Sequence, residues 1–493
     1  MLSRQVDGAQ NLFTLIKFAI PKYKRTNGRL ISIEFDPEIA ESGALDNFDR
    51  LDLYAPHVHR LGVFGRKYRP YSLVNFNVLC SQLDKRGSRS LLPNLHQFDL
   101  SSVQNPSRLI SQVQCIDVFG TDTVHEVIMR PGGLSSLGLT ISHQEAVTIT
   151  NALGLNCPNL RMLCLYPRDD VKPSLEPEGL GYEGWRPNLK KFTKLRDLSL
   201  TNGCLNKHSL LALGKLPKLR VLDFTYGDFV AVEDSSTVNA ALSSTAFSNL
   251  RALSLNVRLA DQIYILELQK MIKGINKLNI CLRLSMGFED DTFGFEASKI
   301  LVERRLLPLF ANMPNLGSLT IKAWSPCKDA DLPVEFPEFL DAISRPPLVD
   351  VHLDGVHFRS SALERNLGTV WPQLRRLSLP AQDASLQELA CFATIPNLCY
   401  LKVKLNLTTT FTPTNIIRSE RAPLTFLKSS PQGKISAELE VIKHNARVLL
   451  SLWPKMSRIA LSKHDDNNPS VDAFRTLCTL LSSPSMLETE TKP

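Results

Sequence analysis

The stretch WPQLRRLSL, residues 371–379, places Leu374, Leu377 and Leu379 in the spacing apolar-x-x-apolar-x-apolar behind a Pro372-Gln373 lead. The phrase recurs as LPNLHQFDL (92–100), CPNLRMLCL (157–165), FTKLRDLSL (192–200), LPKLRVLDF (216–224) and FSNLRALSL (247–255). It continues as MPNLGSLTI (313–321), PPLVDVHL (346–353), IPNLCYLKV (395–403) and WPKMSRIAL (453–461). APHVHRLGV (55–63) and PGGLSSLGL (131–139) are weaker copies. The last two apolar residues of each copy alternate with polar ones, and that period of two predicts a short strand with one buried face. The proline ahead of it disfavours the helical conformation in the residue before, so it ends whatever helix precedes the strand.

Between copies lie helical stretches, SLLALGKL (209–216), ASLQELACFAT (384–394) and AELEVIKHNARVLLSL (437–452). In the last, Leu439, Ile442, Ala446, Leu449 and Leu450 fall on one stripe. The first apolar position recurs at Leu160, Leu195, Leu219 and Leu250, then at Leu316, Leu348, Leu374 and Leu398, with gaps of 24 to 35 residues inside these two runs. Leucine-rich repeats run about 20–29 residues, so the longer gaps imply inserted loops. The expected fold is α/β, an irregular leucine-rich-repeat solenoid (horseshoe) with parallel strands on its concave face and helices on its convex face. Segments 166–188, 285–296, 323–337 and 405–423 read as loops leaving the array, and INKLNICLRL near 275–284 is a candidate strand in a stretch of uncertain register.

Bulk properties narrow the function. A chain of 493 residues exceeds one compact core, which an array that grows lengthwise avoids. The balance of 57 basic against 49 acidic residues, +8, is weak over this length and gives little support to nucleic-acid binding. The ten cysteines form no C-x-x-C pair, and several sit in apolar runs, a usage that fits a reducing compartment. The start MLSRQVDGAQ has no apolar leader, and no run approaches the roughly 18 apolar residues that cross a bilayer, so a cytoplasmic or nuclear location with no membrane partner is expected.

No catalytic constellation emerges. His57 and His59 would share one strand face without a third ligand and read as surface histidines. Gly132-Gly133 lies in no phosphate loop, Glu289-Asp290-Asp291 lacks calcium-loop spacing, and no G-x-S-x-G elbow occurs. The expectation is no enzyme, no metal and no cofactor. Functional residues are sought among the outward strand positions. On that reading the concave face carries Asp99, Tyr166, Asp197 and Asp223 in early copies and Asp350, His352 and Asp354 in the middle. Late copies contribute Arg376, Tyr400, Lys402, Lys404 and Arg458. The array would be acidic early and basic late, a pattern that orients a protein of opposite polarity.

The repeat phrases, together with FDRLDLYAPHVHRLGVF at 48–64, resemble the F-box and leucine-rich-repeat proteins of mushroom-forming fungi. Tyr54-Ala55-Pro56 with Val58 and Leu61 looks like the phrase that opens the repeats after the F-box in that group. The resemblance implies a substrate-recognition subunit of an SCF-type ubiquitin ligase, bound to an Skp1-type adaptor through the F-box, with a protein substrate on the repeats. Residues 1–47 contain neither the Leu-Pro-x-Glu-Ile-like opening nor the Val-Cys-x-x-Trp-like close of an F-box, although LFTLIKFAI (12–20) reads as the tail of a helix. The F-box is therefore lost or precedes Met1, and the sequence as it stands is expected not to bind the adaptor. A scaffold without a ubiquitin role, or a decayed paralogue without partner, is the alternative. The expected division is an N-terminal segment 1–47, a solenoid 48–462, and a C-terminal helix and disordered tail 463–493.

Overall fold

The computed structural model describes residues 5–24, 29–42, 47–63, 71–87, 90–100, 109–129, 143–166, 185–225, 234–283, 292–324, 334–335, 338–410, 422–430, 433–461 and 470–482. The weak copy at 131–139, the Gly132-Gly133 pair, Glu289-Asp290-Asp291 and most of the loop 166–188 lie outside them. The chain forms two compact units, Met1–Leu250 and Arg251–Pro493. Each is an α/β leucine-rich-repeat solenoid.

The rungs of the first unit are β1 (Gln5–Asp7), β2 (Arg60–Gly62), β3 (Gln97–Asp99), β4 (Glu126–Ile128), β5 (Met162–Cys164), β6 (Asp197–Thr201) and β7 (Val221–Thr225). Each pairs in parallel with the next. The second unit has β8 (Ala252–Asn256), β9 (Lys277–Arg283), β10 (Ser318–Trp324), β11 (Asp350–Asp354), β12 (Arg376–Ala384), β13 (Tyr400–Leu407), β14 (Phe426–Ser429) and β15 (Arg458–Leu461). These too pair in parallel and in order. The candidate strand in INKLNICLRL is β9, which fixes the register there. β1 lies within 1–47, ahead of the expected start of the array at 48.

Alternation explains the core. Leu61, Phe98, Val127, Leu163, Leu198 and Leu222 hold one register position in successive rungs and are buried. In the second unit the same ladder is Leu253, Leu278, Leu319, Val351, Leu377, Leu401, Leu427 and Ile459; Ile459 on the terminal rung is half-buried and the rest are buried. Each fully buried side chain contributes about 1.5–3 kcal/mol relative to exposure. Helices of successive rungs pack against one another as a second layer. Helix Lys207–Leu213 starts on Asn206, whose side chain accepts from the Ser209 N–H, and helix Leu386–Phe392 starts on a Ser385/Glu388 capping box. Helix Leu439–Leu452 buries Ile442, Ala446 and Leu449, while Leu439 of the expected stripe stands half exposed on its first turn.

A second ladder holds the rungs at their start. The asparagine just before the first apolar position donates its side-chain amide to the turn carbonyl of the previous rung. In the first unit Asn94 reaches Pro56 O at 2.9 Å, Asn159 reaches Asp122 O at 2.8 Å and Asn249 reaches Pro217 O at 2.7 Å. In the second unit Asn315 reaches Lys273 O at 3.0 Å and Asn397 reaches Pro372 O at 2.8 Å. The Pro-Asn-Leu lead is thus a cross-rung clamp as well as a helix stop, each bond contributing about 0.5–1.5 kcal/mol net.

The N-terminal run 12–20 departs from the helix expected of it. It is divided between a short helix, Gln10–Phe13, and a strand, Ala19–Lys24, which pairs antiparallel with Arg29–Phe35. Leu12, Phe13, Ile16 and Phe18 are buried, while Leu15 and Ile20 are half-buried. Phe13 meets Phe35 of the hairpin at 5.7 Å and Phe119 of helix Leu109–Phe119 at 5.4 Å, and Phe119 continues to Phe98 of β3 at 6.3 Å. The aromatic chain attaches the hairpin to the rungs, so the segment is a structural part of the first unit.

Candidate functional site: the outward sheet faces

Residues that flank the buried ladder point away from the helix layer and form each unit's outward face. In the first unit one row reads Gln5, Arg60, Gln97, Glu126, Met162, Asp197 and Val221, and the next Asp7, Gly62, Asp99, Ile128, Cys164, Ser199 and Asp223. Asp99, Asp197 and Asp223 are all half-buried on this face, as the alternation predicts. Burial raises the Asp197 carboxyl above its ordinary range, with Glu126 adding and the Arg196 and Arg220 guanidiniums opposing. One expected face position is corrected: Tyr166, just past β5, is only 9% exposed and is a packing residue, and Cys164 in the same rung is 2% exposed. A large ring gains more by burial than by standing in water, and alternation alone cannot show what covers it.

The second unit gathers the other predicted residues. Its first row reads Lys277, Ser318, Asp350, Arg376, Tyr400, Phe426 and Arg458. Tyr400 and Phe426 meet edge to face with centroids 5.4 Å apart, and the Arg458 guanidinium lies 5.1 Å from the Phe426 centroid. Arg376 flanks Tyr400 from the other side. The second row reads Asn279, Thr320, His352, Ser378, Lys402 and Lys428. Burial first, then the Lys402 and Lys322 ammonium groups, hold the His352 imidazole below its ordinary value against the pull of Asp354 and Asp350. That environment favours the neutral ring. Burial also raises the Tyr400 phenol, with Asp350 adding and Arg376 opposing.

Lys404 differs from expectation. The pairing of β12 with β13 shifts register between Leu379 and Asp383, so Lys404 faces Asp383 and forms an ion pair at 3.1 Å. Gln382 inside this bulge is buried, accepting from the Phe358 N–H at 2.7 Å and donating to Phe358 O at 3.2 Å. The bulge delivers an acid beside Lys404 and removes much of its charge from the face.

Among the members of the face that escaped the sequence reading are Phe426 and Lys428 of β14, Lys277 and Asn279 of β9, and Asp383. The signal for β14 is present in APLTFLKSS (422–430), where Leu424 and Leu427 keep the spacing but buried Ser429 replaces the third apolar residue. The histidines also move. His57 lies in the turn Ala55–His57 ahead of β2, and His59 stacks on His96, so they share no strand.

Among the described residues no group of three or more His, Cys, Asp or Glu is placed to hold a metal ion. Burial pushes the Cys157 thiol up to about 12 and Cys115 higher still, so neither is an activated nucleophile. No helix among the described residues is long and apolar enough to cross a membrane.

No protein-family model and no curated protein sequence matches the chain. Among solved structures it is similar to TLR13 in its complex with ssRNA13, at 14% identity and a TM-score of 0.38 over 76% of this chain and 44% of that one. It is similar to internalin InlF of Listeria monocytogenes at 13% identity and 0.33, over 80% and 89%. A third likeness is to the Drosophila Toll–Spatzle complex at 13% and 0.33, over 77% and 48%. The chain therefore spans less than half of the TLR13 and Toll chains. The fold assignment rests on the rung register described above.

Proposed function

We propose that this chain recognises another protein through the outward sheet face of its second unit. The observation that carries the reading is one lateral row, Arg376–Tyr400–Phe426–Arg458, in which an aromatic pair is bracketed by guanidiniums, with Lys402 and Lys428 in the adjoining row. Aromatic and arginine side chains are enriched in binding hot spots, and an aromatic ring covers a large area while freezing only two side-chain torsions. The surrounding cations select an acidic partner surface, while Asp350 and Asp354 on the neighbouring rung set its polarity. The finer reading, supported by the resemblance to F-box and leucine-rich-repeat proteins, makes that partner the substrate of an SCF-type ubiquitin ligase in the cytoplasm or nucleus. The run 12–20 forms no continuous helix, and its Leu12, Phe13, Ile16 and Phe18 side chains are buried in the first unit, which supports the expectation that this segment does not dock an Skp1-type adaptor.

Reversing Lys402 and Lys428 together to Glu tests the reading. Association with the captured partner is expected to slow at least about tenfold at low salt and to lose most of its salt dependence. Thermal stability should shift by less than about 0.5 kcal/mol per site, since both half-buried side chains stand on the outward face and not in the core. The comparison is Lys299→Glu with Arg304→Glu on the helix layer, which should leave association unchanged. Equal capture by both double variants would show the cations to be solvated surface only.

A further inference from the structure

A third feature lies at the strand-start edge of the first unit, away from the outward face. The residue immediately before each of six successive strands is His59, His96, His125, Arg161, Arg196 and Arg220. Their equivalence is fixed by the backbone. In each case the carbonyl of one accepts from the amide of the next and of the residue after it: His59 O from His96 and Gln97, His96 O from His125 and Glu126, His125 O from Arg161 and Met162. Arg161 O and Arg196 O continue the pattern to Arg196 and Arg220.

The side chains are aligned too. The imidazoles of His59 and His96 stack with centroids 5.3 Å apart and planes 18° apart, and those of His96 and His125 stack at 5.8 Å and 7°. Each Nδ1 lies against a main-chain carbonyl of the following rung: Asn94 O at 3.2 Å, Thr123 O at 3.2 Å and Asn159 O at 3.4 Å. A carbonyl only accepts, so Nδ1 carries the proton and Nε2 is the atom left to meet a ligand. The three arginines are exposed, and among the described residues none forms an ion pair. Glu126 and Asp197 lie one position further along their strands, and Lys194 and Lys218 two positions before Arg196 and Arg220. The edge around the arginines is therefore net basic.

We infer that this ladder docks an acidic α-helix lying across the strands, with one carboxylate per turn set against one rung. The argument is the repeat distance. The stacked histidine rings lie 5.3 and 5.8 Å apart from rung to rung, and hydrogen-bonded strands themselves about 4.8 Å apart. An α-helix advances about 5.4 Å per turn, so Glu or Asp at i, i+4, i+7, i+11, i+14 and i+18 stays in step with six rungs. An extended peptide repeats its same-side residues every about 6.6 Å and falls roughly a full rung out of step over five intervals. Arginine suits the role because its planar fork engages a carboxylate through two parallel bonds. The histidine end supplies a weaker grip, in which the Nε2 edges of the stacked rings face the same row of the helix, and it orients the helix relative to the arginine end.

The test uses the full chain and three probes: a stapled helical peptide with Glu at the six positions above, its composition-matched scramble with Glu spread around the helix, and a single-stranded oligouridylate of equal charge. The one-faced helix is expected to bind at least about tenfold more tightly than the scramble. Arg161→Glu with Arg196→Glu and Arg220→Glu should abolish that binding while the melting temperature holds. His59→Gln with His96→Gln should weaken it by a smaller factor. Equal binding of the scramble would overturn the proposal in favour of unspecific charge attraction. Tighter binding of the oligouridylate would overturn it in favour of a nucleic-acid edge. Unchanged binding by the arginine variant would remove the ladder from the interaction altogether.

Discussion

Phe119→Ala is expected to lower the stability of the first unit by about 3–5 kcal/mol, the range for removing a large aromatic from a packed core. The ring is fully buried and bridges two parts of the unit: it meets Phe13 at 5.4 Å on the hairpin side and Phe98 at 6.3 Å in β3. Phe13, its neighbour on the hairpin side, is held edge to face by Phe35 at 5.7 Å, which limits its movement into the space. In a solenoid each rung draws its stability from its neighbours, so losing the hairpin exposes the first rungs and the loss spreads along them. Urea unfolding that resolves the first unit's transition measures this. Leu155→Ala, at a side chain 69% exposed, should move the midpoint very little. A loss below about 1 kcal/mol for Phe119→Ala would mean that the hairpin does not stabilise the array.

The second large effect is on binding. Tyr400→Ala combined with Phe426→Ala should weaken the partner complex by at least about 30-fold, the threshold of about 2 kcal/mol that marks a hot spot. The two rings sit at adjacent rungs in one row and are flanked by Arg376 and Arg458, so an approaching surface desolvates all four groups together. Because the edge-to-face pair itself contributes about 0.5–1.5 kcal/mol to folding, Tyr400→Phe with Phe426→Leu serves as the folded comparison. That variant should keep most of the melting temperature and lose an intermediate share of the affinity. Full affinity in the double alanine variant, measured by titration calorimetry at fixed salt, would take the aromatic row out of the interface.

The fold was largely legible because its signal is repeated. Where Pro-x-Leu-x-x-Leu-x-Leu is complete, as at 216–224 and 371–379, the strand lies where alternation puts it. Rungs were missed where one element of the phrase is replaced. β4 keeps Val124, Val127 and Met129 in the right spacing but has Asp122-Thr123 in place of the proline lead, and β14 ends on Ser429. β1 is three residues long and too short to show a period. The face was legible only in its direction. Alternation assigns a side chain to the outward surface, as it does for Asp197, His352 and Lys402, but it carries no information on what lies over Tyr166. Nor does it anticipate the bulge in β12 that brings Asp383 to Lys404. The asparagine clamps and the basic ladder are periodic in sequence yet visible only across rungs, since each needs the registered neighbour to give it meaning.

Photocrosslinking tests the central claim most directly. A photoreactive amino acid placed singly at Tyr400, Lys402 or Lys428 reports on the outward face of the second unit, and one at Leu439 reports on its helix layer. Recognition through the face predicts that the captured partner is crosslinked from the three face positions and not from Leu439. Efficient crosslinking from Leu439 with none from Tyr400, Lys402 and Lys428 would contradict it.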